Sequence, residues 1–113
     1  MAGFSKVVRF DAIRTLAFGA ISGTYAKLGV ANAHLGRVLK IINNTNGDIF
    51  ISFDGSTDND FIPASNFCLY DLTSNLFPGT EYVLERGTQI WVKQSTAPTS
   101  GSVYATIVYG QGE

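Results

Sequence analysis

Apolar and polar residues alternate with period two along most of this chain, and clusters of Gly, Asn, Asp, Pro and Ser break the alternation at steady intervals. Successive side chains of a β-strand point to opposite faces, so the pattern predicts short strands joined by turns. Near the N-terminus, "KVVRFDAIRTLAF" (residues 6–18) places Val8, Phe10 and Ala12 on one face and Val7, Arg9, Asp11 and Ile13 on the other. The phase blurs between Ile13 and Leu16, and a short helix over residues 10–18 is the alternative there, since Ile13, Leu16 and Ala17 also have helical spacing. A short strand is expected around Thr24 to Leu28, followed by a loop to Leu35.

Residues 37–53, "RVLKIINNTNGDIFISF", predict a hairpin turning at Asn46-Gly47, because a type I′ turn needs positive φ at both central residues and Asn and Gly tolerate it best. Ile49, Ile51 and Phe53 would face the core, with Phe50 and Ser52 on the other side. Asp54-Gly55 then turns the chain, Pro63 excludes a central strand position, and "FCLYDL" predicts a strand with Cys68 as a small buried hydrophobe. "NLFPGTE" is a loop turning at Pro78-Gly79, "EYVLERGTQIWVKQ" predicts a second hairpin around Arg86-Gly87 with Trp91 at least half-buried, and "STAPTSG" is a further loop. The last strand, "SVYATIVYG", has Val103, Ala105, Ile107 and Tyr109 on one side and Tyr104, Thr106 and Val108 on the other. About seven to eight short antiparallel strands in 113 residues make residues 1–113 one all-β domain, a β-sandwich or jelly-roll-like fold.

Charge narrows the function. Only 15% of the residues are charged, against about 25% in ordinary soluble domains, so the surface is unusually neutral and suits burial against partners. Eight basic and nine acidic residues leave a net charge of −1, with no cationic field for nucleic acid or anionic lipid. Arg37 with Lys40 is the one basic cluster, read as two solvated side chains on a strand. No stretch of ~18 apolar residues offers a membrane crossing, and the N-terminus lacks the apolar run of a secretory signal, so a chain used in the compartment where it is made is expected. In that compartment the sequon Asn43-Asn44-Thr45 is incidental.

Candidate chemistry is sparse. Asp54, Ser56, Asp58 and Asp60 have the spacing that opens a calcium loop, but the sixth and twelfth positions, which require Gly and Glu, are Asn59 and Ser65. Asx-turn chemistry accounts for the cluster without an ion. Cys68 and His34 are the only residues of their kinds, which excludes disulfide, multi-cysteine and two-histidine metal frameworks within the chain. A hydrolase would need His34 beside Cys68 or an activated serine, and no G-x-S-x-G elbow is present. Glu81 and Glu85 are expected on one solvated strand face. Phe50, Tyr82, Trp91, Tyr104 and Tyr109 would make a stacking platform for a carbohydrate if they shared a surface. No catalytic, cofactor-binding or metal residue is assigned. The apolar surplus exceeds what one small core buries, and such a surplus ends in subunit interfaces.

The segments "RFDAIRTLAFGAISGTYAKLG", "RVLKIINNTNGDIFISFDG", "DFIPASNFCLYDLTSN" and "GTQIWVKQSTAPTSGSVYATIVYGQ" together resemble a group of small virion proteins of tailed bacteriophages. The resemblance covers nearly the whole chain. It implies a non-enzymatic structural component of the virion, made in the host cytoplasm and assembled in many copies as a homo-oligomer. Its partners would be other virion proteins: the major capsid protein for a capsid decoration or cement protein, or neck and tail proteins for a connector or short-tail subunit. Decoration is slightly favoured. No cofactor, nucleic acid or membrane is implied, and a carbohydrate-binding β-sandwich module remains the alternative from another class.

Overall fold

A computed structural model describes residues 8–72 and 84–110. Nine strands are present among them: β1 (Val8–Phe10), β2 (Arg14–Ala17), β3 (Ala26–Lys27), β4 (Gly36–Thr45), β5 (Ile49–Ser52), β6 (Asp60–Ile62), β7 (Asn66–Asp71), β8 (Trp91–Gln94) and β9 (Gly101–Gly110). All pairings are antiparallel, and they form two sheets. The first runs β1/β2-β9-β4-β7 and the second β3-β8-β5-β6. The helical alternative for residues 10–18 is not realised; helical structure there is one 3-10 turn at Phe18–Ala20.

β1 and β2 behave as one interrupted strand, because both lie along β9. Phe10 pairs with Val108 but Arg14 pairs with Ala105, so the N-terminal strand carries one residue more than its partner over this stretch. Such a bulge flips the side-chain phase. Val8 and Phe10 therefore point outward before it and Thr15 outward after it, which is why the alternation blurs near Ile13. The Asp11 N–H still reaches the Ile107 carbonyl, at 2.9 Å, so the ladder is bridged across the irregularity.

Counting β1/β2 as one strand leaves eight, and their pairs nest: first with last, second with seventh, third with sixth, fourth with fifth. This nesting is the jelly roll. Inward positions of β4 and β9 (Leu39, Ile41, Val103, Ala105, Ile107) meet those of the second sheet (Ile49, Ile51, Ile62, Val92), and Ile21, Leu28 and Ile90 close the ends. Every one of these is at most 6% exposed, so they form one dry core between two stacked sheets.

The two hairpins expected from sequence are corrected by this topology. β4 pairs with β7 and β9 while β5 pairs with β6 and β8, so the segment at Asn46-Gly47 crosses from one sheet to the other. Neither residue has positive φ. Gly47 is required for another reason: a Cβ there would collide with the Thr96 carbonyl and press on Pro98. The Arg86-Gly87 turn also changes sheets, since Leu84 bridges Gly36 of the first sheet whereas Trp91 begins β8 in the second. Residues 81–83 of that second hairpin, and the Pro78-Gly79 loop, lie outside the described residues.

The crossover is held by a buried amide. Asn43 is fully buried at the inward end of β4. Its Nδ2 shares its two hydrogens among the carbonyls of Gly47 (2.9 Å), Ile62 (3.0 Å) and Pro63 (3.1 Å), and its Oδ1 accepts from the Thr45 N–H (3.1 Å) and hydroxyl (2.6 Å). Asp48 extends the knot by accepting from the Ala64 N–H at 2.9 Å while its carbonyl accepts from Ser95 and Thr96. Asn46 and Thr99 bond reciprocally at 2.6 and 2.8 Å. Gly101 begins β9 with φ +90° where a Cβ would overlap the Asn44 carbonyl.

Asn43→Ala removes one donor group and one acceptor and strands several buried backbone groups, each worth roughly 1–3 kcal/mol when left unpaired. We expect a loss of about 3 kcal/mol in urea unfolding, while Asn44→Ala, at the exposed neighbouring position, stays within about 0.5 kcal/mol. Equal effects at the two positions would refute the role given to Asn43.

Candidate functional site

The acidic stretch folds as turn chemistry. Asp54 Oδ1 accepts from the backbone N–H groups of Ser56 (2.8 Å) and Thr57 (2.7 Å) and from the Ser52 hydroxyl (2.8 Å), and these bonds hold its carboxyl well below the usual range. Asp58 points elsewhere, accepting the Tyr25 hydroxyl and pairing with Lys93 Nζ at 3.1 Å, and its carboxyl is likewise lowered. Asp60 accepts the Tyr70 hydroxyl and the Phe61 N–H. The three carboxylates thus serve three separate sets of partners. Among the described residues no three His, Cys, Asp or Glu side chains gather into a group that could hold a metal ion.

Cys68 is half-buried rather than buried, on the inward side of β7 beside Tyr70 and Asp60. Desolvation, with Asp60 adding to it, pushes its thiol up, away from the reactive thiolate. His34 is far from it in role: its ring stacks flat on Tyr109, with centroids 3.7 Å apart and planes 5° apart. Glu81 lies outside the described residues, so the Glu81/Glu85 pair is not tested by them.

The aromatic residues separate. Tyr82 lies outside the described residues, while Tyr104 faces outward on the first sheet and Phe50 and Trp91 face outward on the second. On the second sheet's outer face Phe50 and Phe61 pack at 5.2 Å, Lys93 lies over Tyr25 (4.8 Å) and Phe50 (5.3 Å), and Lys27 lies over Trp91 (5.6 Å). Gly55 backs the Trp91 indole so closely that a Cβ would sit 3.0 Å from it. These rings are capped by ammonium groups and backbone, whereas a sugar platform presents a bare ring.

The outer face of the first sheet is different. The register aligns Phe10, Val108, Val38 and, at the β7 edge, Asp71 in one row, Thr106, Lys40 and Leu69 in the next, and Thr15, Tyr104, Ile42 and Phe67 in a third. Phe10 (71%), Phe67 (63%), Ile13 (60%), Val8 (58%) and Leu69 (58%) are among the most exposed large apolar side chains described. Lys40 is the single charge on the outward positions 38–44 of β4 and 102–108 of β9. A groove of about 390 Å³ runs along this face, lined by Lys40, Ile42, Asn44, Asn66 and Phe67 among others. Scattered exposed apolar residues are ordinary, but a contiguous apolar sheet face marks a contact surface.

Sequence reasoning anticipated the apolar surplus without locating it. In "NFCLYDL" both phases are apolar, so alternation alone does not say that Phe67 and Leu69 turn out while Cys68 and Tyr70 turn in. The polar partner of Tyr70, Asp60, is the distinguishing feature, and it comes from another strand.

Burial and the Asp60 and Asp58 carboxylates push the Tyr70 and Tyr25 phenols well above their ordinary value of 10.0. The folded protein then holds these protons more tightly than the unfolded chain. Their contribution to stability is whole below pH 10 and falls as the pH rises beyond it. Asp54 and Asp58 act oppositely: their contribution is present above the unfolded value of 3.8 and falls as the pH drops below it. In a spectrophotometric titration of the native protein at least two of the five tyrosines should stay protonated after denatured protein has ionised all five. A native curve that matches the denatured one would show that neither phenol is held.

No protein-family model matches the chain, and no curated protein matches it in sequence. Among solved structures, a chain from Bacillus endospore appendages, described as a novel family of disulfide-linked pili, aligns over 97% of this chain and 94% of its own at 15% sequence identity and a TM-score of 0.47, a likeness too distant to bear on function.

Proposed function

We propose that this chain is a non-enzymatic structural subunit of a tailed-phage virion, assembling as a symmetric homo-oligomer on other particle proteins, with the capsid surface favoured over the neck or short tail. The observation that carries the assembly reading is the outer face of the first sheet, where Phe10, Phe67 and Leu69 stand exposed on a regular, hydrogen-bonded scaffold. The phage setting comes from the sequence resemblance alone, since a jelly roll hosts many unrelated functions. The catalytic alternatives lose support from the geometry, because His34 is stacked on Tyr109, Cys68 sits with Tyr70 and Asp60, and the carboxylates Asp54 and Asp58 are engaged in turn bonds and an ion pair. Symmetric assembly multiplies a modest contact, so that many weak sites hold firmly together.

The reading is tested by adding the purified protein to particles lacking it and counting bound copies. Saturation at a copy number that matches the symmetry of the capsid shell is expected. Saturation at six or twelve copies per particle would place the protein at the neck or tail instead, and no binding to any particle component would overturn the reading.

A further inference from the structure

Among the described residues no other surface matches the first sheet's outer face, and this constrains what covers it. Ten-residue strands β4 and β9 lie at its centre, flanked by β1/β2 and β7. Four strands at about 4.8 Å and ten residues at about 3.3 Å give it roughly 600 Å². Two such faces brought together bury roughly 1,200 Å², the lower end of what a specific stable contact needs.

The outer face of the second sheet is a poor partner for it. That surface carries Lys27, Lys93 and Asp58, with both ammonium groups seated over rings and the carboxylate in an ion pair. Covering it with Phe10, Phe67 and Leu69 would desolvate those charges with no new partner for them. The same face on a second copy has Lys40 among its central outward positions and Asp71 at its β7 rim, where a carboxylate keeps its water. A lysine stem covers apolar surface while its ammonium reaches the groove edge and water.

We infer that the outer faces of the first sheets of two copies pack against each other in a two-fold, isologous contact, with Phe10 and Phe67 as the anchoring side chains. This deepens the assembly reading and rests on it. The contact makes a dimer the unit from which any larger symmetric array is built, because each copy uses its apolar face up on one neighbour.

The test is sedimentation and light scattering of the full chain across a concentration series, beside Phe10→Asp, Phe67→Asp and the control Phe61→Asp on the second sheet. All three sites are exposed, so each variant should melt near the parent, which thermal unfolding checks. The parent should be a dimer. In a two-fold contact each substitution counts twice, and losing a buried ring costs about tenfold per copy, so Phe10→Asp and Phe67→Asp should each weaken the dimer about a hundredfold. Phe61→Asp should change it less than about twofold. A parent that stays monomeric at roughly 100 μM, well above the range of ordinary specific contacts, overturns the inference. So does a trimer or odd-numbered ring, or a dimer that Phe61→Asp disrupts and Phe67→Asp does not. The two readings fail separately: a dimer broken as expected with no binding to particles removes the virion role alone, and copy-counted particle binding by a parent that stays monomeric in solution removes the two-fold contact alone.

Discussion

A jelly roll must carry its chain back and forth between two sheets, and at one corner of this molecule that passage depends on the amide of Asn43. The core on either side is aliphatic and non-directional; it favours stacking the sheets but does not by itself specify where each strand crosses. Asn43 supplies the direction. It binds the carbonyl of Gly47 in the crossover and the carbonyls of Ile62 and Pro63 at the end of β6, so β4, the crossover and β6 meet at one side chain. A buried amide with several partners is costly to leave unpaired, and that cost disfavours alternative registers of β4.

Around this corner the fold follows from burial and pairing. Much of it was legible in the residues: the all-β class, the antiparallel sandwich, the two-faced alternation of β9, and Ile49 and Ile51 of β5 as core. What failed has a physical reason. Asn46-Gly47 marks a tight place in the chain, but tightness does not say whether the flanking strands pair with each other or with strands distant in sequence. That is decided by long-range pairing with β9 and β8, which no local motif encodes. The bulge before Arg14 left a trace in the sequence as lost phase. Cys68, whose apolar neighbours suggest full burial, is half-buried because β7 is an edge strand covered on one side only.

The two outer faces show how composition alone conceals a surface. Charged residues make up 15% of the chain, yet they are not spread evenly over the sandwich. Lys27, Lys93 and Asp58 cluster over the aromatic rings of the second sheet, where they keep Phe50 and Trp91 from being an open apolar patch. On the first sheet Phe10, Phe67 and Leu69 stand more than half exposed. One outer face carries its charges over its rings and the other leaves large apolar side chains exposed, and the average over both looks merely neutral.

The Asn46-Gly47 pair has a chemical consequence beyond geometry. Asparagine followed by glycine is prone to deamidate, because the unhindered glycine N–H can attack the asparagine side-chain carbon and close a succinimide ring. In the folded chain both participants are occupied: the Asn46 amide is locked to Thr99 and the Gly47 N–H is directed to the Thr45 hydroxyl. The fold therefore shields a labile bond, and the same contacts that join the sheets set how fast the chain ages. Each opening of this corner exposes Asn46 to a reaction that does not reverse, so an accumulating aspartate or isoaspartate at this position is a covalent record of how often the corner has come apart.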